Sequence, residues 1–310
     1  MQSARLRAVW PPGGLTPRQR GLFWFRAEPP ELDDPDDART ALATVLREGT
    51  PDDWAPLNVV ALASLLDEVP LMGWSAAFWR QVCEEASSVD QRDQVITPAH
   101  HAVLGVAAVT LAPSGFELAG GTALAAGYLG HRRSRDLDFF TGEPASFVEA
   151  VGQFIEALRR AGHSVDQIQS LAPTMRRLTA SGITIDLAVD APFRLAPSTT
   201  AIDAMPLRSL RDLAADKTLA LFDRATTRDF VDVYVLLQRH YQFGELLALA
   251  ASKDTGFDPG WFARALQHAA RLNPADVDLL VPINFPAMQQ RFLDEAVRLT
   301  ALRSPHPNPE

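Results

Sequence analysis

The segment that begins Phe116-Glu-Leu-Ala-Gly-Gly-Thr122 and ends Asp136-Leu-Asp-Phe-Phe140 constrains this chain more than any other. Its pattern predicts a short buried strand at 116–119 and a turn at Gly120-Gly121-Thr122. A helix rich in glycine and alanine follows over 120–129, then a second strand over 136–141. In an extended strand, residues two apart point the same way. The carboxylates of Asp136 and Asp138 therefore project together, while Leu137 and Phe139 face the core. Adjacent carboxylates repel unless a cation shares them, and two hard oxygen donors beside open coordination positions suit Mg²⁺. The Gly-Gly-Thr turn has no bulky side chain and opens a helix, where backbone N–H groups and the helix dipole favour a phosphate. Alone, each piece is ordinary, a solvated strand end or a tight turn. With thirteen residues between Thr122 and Asp136, they make a unit suited to a metal-bound phosphate ligand.

The rest of the chain reads as α/β (α+β). Residues 1–35 are loop-like, broken by Pro11, Pro12, Gly13 and Gly14 and ending in the acidic run from Glu31 to Asp37. Helical patterns follow near 38–48, 52–69 and 75–87, the second with Leu57, Val60, Ala61 and Leu65 on one face. Trp74, Phe78 and Trp79 add aromatic bulk, and the polar stretch 87–94 reads as a linker. Beyond it come a helix at 100–112, the unit described above, a helix at 144–161 and strands near 165–171, 175–180 and 182–190. The last strand alternates Ile183, Ile185, Leu187 and Val189 with Thr184, Asp186, Ala188 and Asp190. Helices are expected at 209–223, 227–240, 244–252, 260–271 and 285–302, and residues 304–310 as a disordered tail. The layout is a helical unit over 1–95, a small mixed-sheet core over 96–205 and a helical domain over 206–303.

Composition bounds the function. At 47 % hydrophobic and 22 % charged residues, the 310-residue chain belongs with soluble globular proteins. Its single cysteine, Cys83, excludes an internal disulfide and a thiolate zinc site, in keeping with a reducing, cytoplasmic setting. The longest uncharged apolar stretch, 102–116, has 15 residues. Roughly 20 are needed to span a bilayer, so no membrane partner is expected. A net charge of −9 means that any nucleic-acid partner must meet a local basic patch. Two places offer one: the loop of His131, Arg132, Arg133 and Arg135, and the C-terminal arginines Arg208, Arg211, Arg264, Arg271 and Arg291. The loop reads either as a solvated charge cluster or as a phosphate contact. Lys217 and Lys253 are the only lysines among 29 basic residues. Lys217 falls at the edge of the apolar face formed by Leu210, Leu213 and Ala214. Two readings fit it: a snorkelling side chain, or a compact charge for triphosphate oxygens. Asp229 and Asp232 share a helix face and can orient a neighbouring cation such as Arg224, Arg228 or Lys217.

The Gly-Gly-Thr turn with its paired aspartates resembles the nucleotidyltransferases of the DNA polymerase beta superfamily. Two blocks narrow the likeness: Leu129-Gly-His-Arg-Arg-Ser-Arg-Asp-Leu-Asp-Phe-Phe140, and Asp216-Lys217 to Arg224 followed by Arg228-Asp229-Phe-Val-Asp232-Val-Tyr234. In that order they resemble the AbiEii-type nucleotidyltransferase toxins of type IV toxin–antitoxin and abortive-infection systems, over residues 97–240. Residues 20–90 resemble, more faintly, a small helical domain found beside such toxins, a regulatory or antitoxin-like segment. The resemblance implies a nucleotidyltransferase core that uses Mg²⁺ to move NMP from an NTP to a hydroxyl. It implies the 3′ end of tRNA as acceptor, arrest of translation, and a cognate antitoxin as partner. By position, Asp136 and Asp138 would hold metal. Gly120, Gly121, Thr122, Arg133, Arg135, Lys217, Arg228 and Asp229 would bind nucleotide, with Lys217 also serving catalysis. Asp186 would be the third catalytic carboxylate, with Asp190 as fallback. The rivals are transfer to a protein or small molecule, and a non-catalytic partner-binding module.

Overall fold

Alternation along the strands decides which face of the sheet is buried. The computed structural model describes residues 2–171, 173–198 and 200–302, and the tail 304–310 lies outside them. The chain divides into two units between Gln91 and Arg92.

The first unit holds helices α1 (Gln2–Arg7), α2 (Pro17–Gly21), α3 (Pro35–Glu48), α4 (Pro51–Trp54), α5 (Val59–Ala63) and most of α6 (Trp74–Val95). Leu6, Leu42, Leu46, Leu62 and Trp79 form its core. The indoles of Trp54 and Trp79 donate to the backbone carbonyls of Val45 and Leu46, both at 2.8 Å. Three expectations are corrected here. Residues 1–35 contain two short helices, the second started by a capping box between Thr16 and Gln19. The helix expected over 52–69 breaks at Pro56, which has no N–H to donate, and restarts where Asn58 caps Ala61. That break re-phases the helix, so Leu62 is buried and Val60 is exposed. The polar stretch expected as a linker continues α6, since it contains neither Pro nor Gly to stop a helix.

The second unit is built on a seven-stranded mixed sheet. Its strands are β1 (Phe116–Ala119), β2 (Leu137–Thr141), β3 (Val165–Leu171), β4 (Met175–Ala180), β5 (Ile183–Val189), β6 (Thr200–Ile202) and β7 (Met205–Leu207), ordered β3-β4-β5-β2-β1-β7-β6. β2 lies between β1, antiparallel, and β5, parallel. Leu137, Phe139, Ile185 and Leu187 point to the apolar face. There the helices α7 (Pro98–Thr110) and α9 (Phe147–Arg160) pack against each other, and Phe139 meets Phe154 edge-on at 6.0 Å. The segment expected as one helix over 120–129 is a short helix α8 (Gly120–Leu124) followed by a π turn to Leu129.

Five helices complete the unit: α10 (Leu210–Asp223), α11 (Thr227–Arg239), α12 (Phe243–Lys253), α13 (Pro259–Leu266) and α14 (Phe285–Leu302). α10 packs on α8, α11, α12 and α13. Enclosed in this way, it buries polar residues too, including Asp212 and Lys217. Lys253 at the end of α12 reaches back to Asp212 at 3.0 Å and Asp216 at 2.6 Å, tying α12 to α10. Among the described residues no helix is long and apolar enough to cross a membrane.

The two faces of β2 are expected to respond differently to truncation. Phe139→Ala should cost about 3–5 kcal/mol in urea unfolding. Phe140→Ala, on the half-buried face, should cost roughly half that or less, because less apolar area is lost.

Candidate active site

Asp136 stands just before β2 and Asp138 within it, on the face opposite the core. The ladder sets Asp138 beside Ala119 of β1 on one side and Asp186 of β5 on the other. After Ala119 the chain turns at Gly120 with φ +65°, a conformation L side chains rarely adopt, and a Cβ there would collide with the Asp138 carboxylate. A Cβ on Gly121 would come within 2.6 Å of Arg132 Nη2. The two glycines are thus pressed between an acid and a base. Thr122 faces inward, fully buried, with its hydroxyl against Ser134 Oγ at 2.7 Å and the Asp136 carbonyl. The sequence suggested a nucleotide contact for this residue. Its hydroxyl instead fixes the loop that delivers Asp136.

Three carboxylates share this face, and their environments differ. Burial, with the added repulsion of Asp186 and Asp136, pushes Asp138 up to about 6 against the pull of Lys217. Asp186 has its own counter-charge: Arg177 donates to it through Nε at 2.6 Å and Nη2 at 2.5 Å. Asp136 is half exposed, with Arg228 Nη1 at 4.0 Å.

The facing cations come from α10, α11 and the loop after α8. Asp232, fully buried, accepts from Arg132 Nε at 2.7 Å and Nη2 at 2.9 Å, and from His131 Nε2 at 2.7 Å. Lys217 Nζ lies 2.7 Å from its other side. Burial alone would raise Asp232; the Arg132 and Lys217 charges and these hydrogen bonds outweigh it and hold the carboxyl well below its ordinary range. Burial lowers the His131 imidazole. Asp229, also buried, binds Arg224 through Nε at 2.8 Å and Nη2 at 2.9 Å, takes a bond from Thr226 at 2.6 Å, and has Lys217 at 3.6 Å. Two buried acids therefore confront three permanent cations, and the positive excess faces Asp138.

Gly120, Gly121, Asp138, Lys217 and Arg224 line one cleft of about 310 Å³, which Phe140 and Asp190 extend. Arg133, Arg135 and Arg228 line a second of about 510 Å³, with Asp276 and Asp278 on its rim. Several expectations change. Lys217 does not snorkel, because its ammonium is buried and ion-paired. His131 and Arg132 are neither solvated nor free for phosphate, because Asp232 engages both. Asp229 can influence a ligand only through Lys217 and Arg224. Arg208 is 1 % exposed and ion-paired to Asp190 at 2.9 Å and Asp216 at 3.0 Å, which removes it from any surface basic patch. Arg177 and Phe140 were missed in the sequence, and Arg224 was considered there only as a partner for a carboxylate. The Ser181-Gly182 turn, with φ of 49° and 82°, pairs Ala180 with Ile183 and so sets Arg177 opposite Asp186.

The helix-flanked mixed sheet thus carries an acid pair beside a glycine turn with cations facing it, and comparison of the sequence with known families gives the class of protein. The family described as nucleotidyl transferase AbiEii toxin, type IV toxin–antitoxin system, matches residues 108–304, more than half of the chain, and the protein belongs to it. Among solved structures, JHP933 from Helicobacter pylori is 18 % identical, with TM-score 0.39 and coverage of 70 % of this chain and 93 % of that one. A nucleotidyltransferase toxin of Mycobacterium tuberculosis, MenT4, is also 18 % identical, with TM-score 0.45 and coverage of 69 % and 89 %. No curated protein matches the chain.

Two substitutions separate the site's acids. Asp232→Asn leaves Arg132 without its anion and Lys217 with only the longer contact to Asp229, and should cost about 3–5 kcal/mol in denaturant unfolding. Asp232 is lowered in the fold, so its contribution is present above the ordinary carboxylate range and is lost as the pH falls through its folded value. Asp138→Asn should do the reverse. As the pH rises to about 6 the unfolded chain ionises Asp138 first, so the native carboxylate destabilises the fold. Calorimetry in chelator at neutral pH should show Asp138→Asn melting higher by roughly 2–4 °C, or about 1 kcal/mol.

Proposed function

We propose that this protein transfers a nucleoside monophosphate from an NTP to an acceptor hydroxyl, the 3′ end of tRNA, and so arrests translation in the cytoplasm. The observation that carries the reading is the shared cleft of Gly120, Gly121, Asp138 and Lys217, which an acid and a cation line together with a side-chain-free turn. The acid pair fits a divalent cation. Burial, with the added repulsion of Asp186 and Asp136, raises Asp138 despite the pull of Lys217 and Arg224, and a small cation shared with Asp136 would relieve that repulsion. Arg177 already engages Asp186, and among the described residues no group of three or more His, Cys, Asp or Glu is placed to hold a metal. The protein's share of such a site is therefore Asp136 and Asp138, with substrate oxygens and water filling the remaining positions, as Mg²⁺ prefers. Bound there, Mg²⁺ supplies charge stabilisation to the attacking and leaving oxygens.

The chain's own residues do the rest by position and charge. Lys217 and Arg224 receive the β and γ phosphates, and the Gly120-Gly121 turn lets them come close. Asp229 and Asp232 keep those cations aimed. The acceptor oxygen bonds to the α phosphorus as the bond to pyrophosphate breaks, and the hydroxyl proton passes to Asp186. Arg133, Arg135 and Arg228 receive acceptor phosphates beside Asp136. Residues 96–205 serve as catalytic core, 206–303 as the helical domain that carries the cations, and 1–95 as a regulatory unit. A cognate antitoxin is the expected partner, in keeping with the type IV family.

Purified protein incubated with labelled NTPs, Mg²⁺, total tRNA and lysate protein should label tRNA. Asp136→Ala and Asp138→Ala should each reduce labelling by about 10²–10³-fold or more while the fold survives. Label on protein or on small molecules would move the acceptor. Absence of label from every fraction, or full activity in either variant, overturns the reading.

A further inference from the structure

A third cleft, of about 350 Å³, lies where the C-terminal end of α10 meets α13, and Phe222, Arg224, Trp261, Arg264 and His268 line it. α13 puts its neighbouring aromatic, Phe262, wholly into the core against Phe222, Phe243 and Phe257. Trp261 turns the other way and stays 53 % exposed. Its indole is not loose. Arg264, three residues on and hence on the same helix face, sets its guanidinium 4.4 Å from the ring centroid. Among the described residues neither Arg264 nor His268 has a carboxylate partner. Arg224 spends Nε and Nη2 on Asp229.

Arg224 also lines the cleft of Gly120, Asp138 and Lys217. The Lys217 ammonium lies 3.6 Å from Asp229 and the Arg224 guanidinium 2.8 Å from it, so the cations of the two clefts meet at one carboxylate. We infer that Trp261 is a stacking platform for a nucleobase whose neighbouring phosphate lies against Arg264 and Arg224. An exposed indole stiffened by a guanidinium offers a flat apolar surface that any base can cover, and the surrounding cations suit the attached phosphate. The base comes from the donor NTP or from the terminal nucleotide of the acceptor, and binding measurements tell these apart. The inference rests on the nucleotidyl-transfer reading only for the direction from which the base arrives.

Affinity for non-hydrolysable NTP analogues with Mg²⁺, and separately for a short single-stranded RNA, should be compared in wild type, Trp261→Ala and Trp261→Phe. Trp261→Ala is expected to weaken one of the two ligands by about tenfold or more, Trp261→Phe by much less, with the melting temperature unchanged in both. Quenching of tryptophan fluorescence by that ligand should shrink in Trp261→Phe. Weakened NTP binding assigns the platform to the donor base, and weakened RNA binding to the acceptor. If wild type and Trp261→Ala bind both ligands equally, or wild type binds neither, the platform is overturned. Failure of tRNA labelling with binding loss intact would overturn only the transfer reading.

Discussion

One buried carboxylate organises the site. Asp232 ties together three segments distant in sequence: the His131-Arg132 loop, Lys217 on α10, and its own helix α11. Burying so many charges brings little net stability, since desolvation offsets most of the attraction. What the arrangement fixes is geometry. Arg132, pinned by two bonds to Asp232, closes off the space above Gly121. Lys217, pinned by a third contact, has its ammonium held at the cleft wall. A water-exposed lysine would sample many rotamers, whereas this one is pre-oriented.

The strand carrying the catalytic candidates is equally constrained. β2 sits inside the sheet, paired on both edges, so Asp138 cannot rotate off its face without breaking two ladders. Its opposite neighbours are an alanine and an aspartate. The first leaves room, and the second adds charge. The sheet thus supplies a crowded negative row, and the helices supply an excess of positive charge facing it. A polyanion neutralised by a small cation satisfies both.

Much of this was legible in the sequence because it depends on short-range periodicity. The alternation of β5 and the placement of Asp136 and Asp138 on one face follow from the two-residue repeat of a strand. Partner identity was less accessible. Nothing local says that Thr122 bonds inward to the Asp136 carbonyl, or that Asp229 spends both oxygens on Arg224, Thr226 and Lys217. Those are tertiary facts. The hairpin of β6 and β7 went unread because its turn residues, Asp203 and Ala204, adopt φ of 50° and 64° without the glycine that usually announces such a turn. The Arg177–Asp186 pair went unread as well, although the register set by the Ser181-Gly182 turn places the two residues opposite each other.

The scarcity of lysine has a chemical corollary. Both lysine side chains sit in carboxylate cages, Lys217 at 7 % and Lys253 at 9 % side-chain exposure. While folded, the protein offers amine-acylating reagents, acetyl donors and lysine-directed proteases almost no side-chain target. Lysine reactivity towards them becomes a gauge of opening between α10 and its neighbours α11 and α12, because each ammonium is held by carboxylates across one of those contacts.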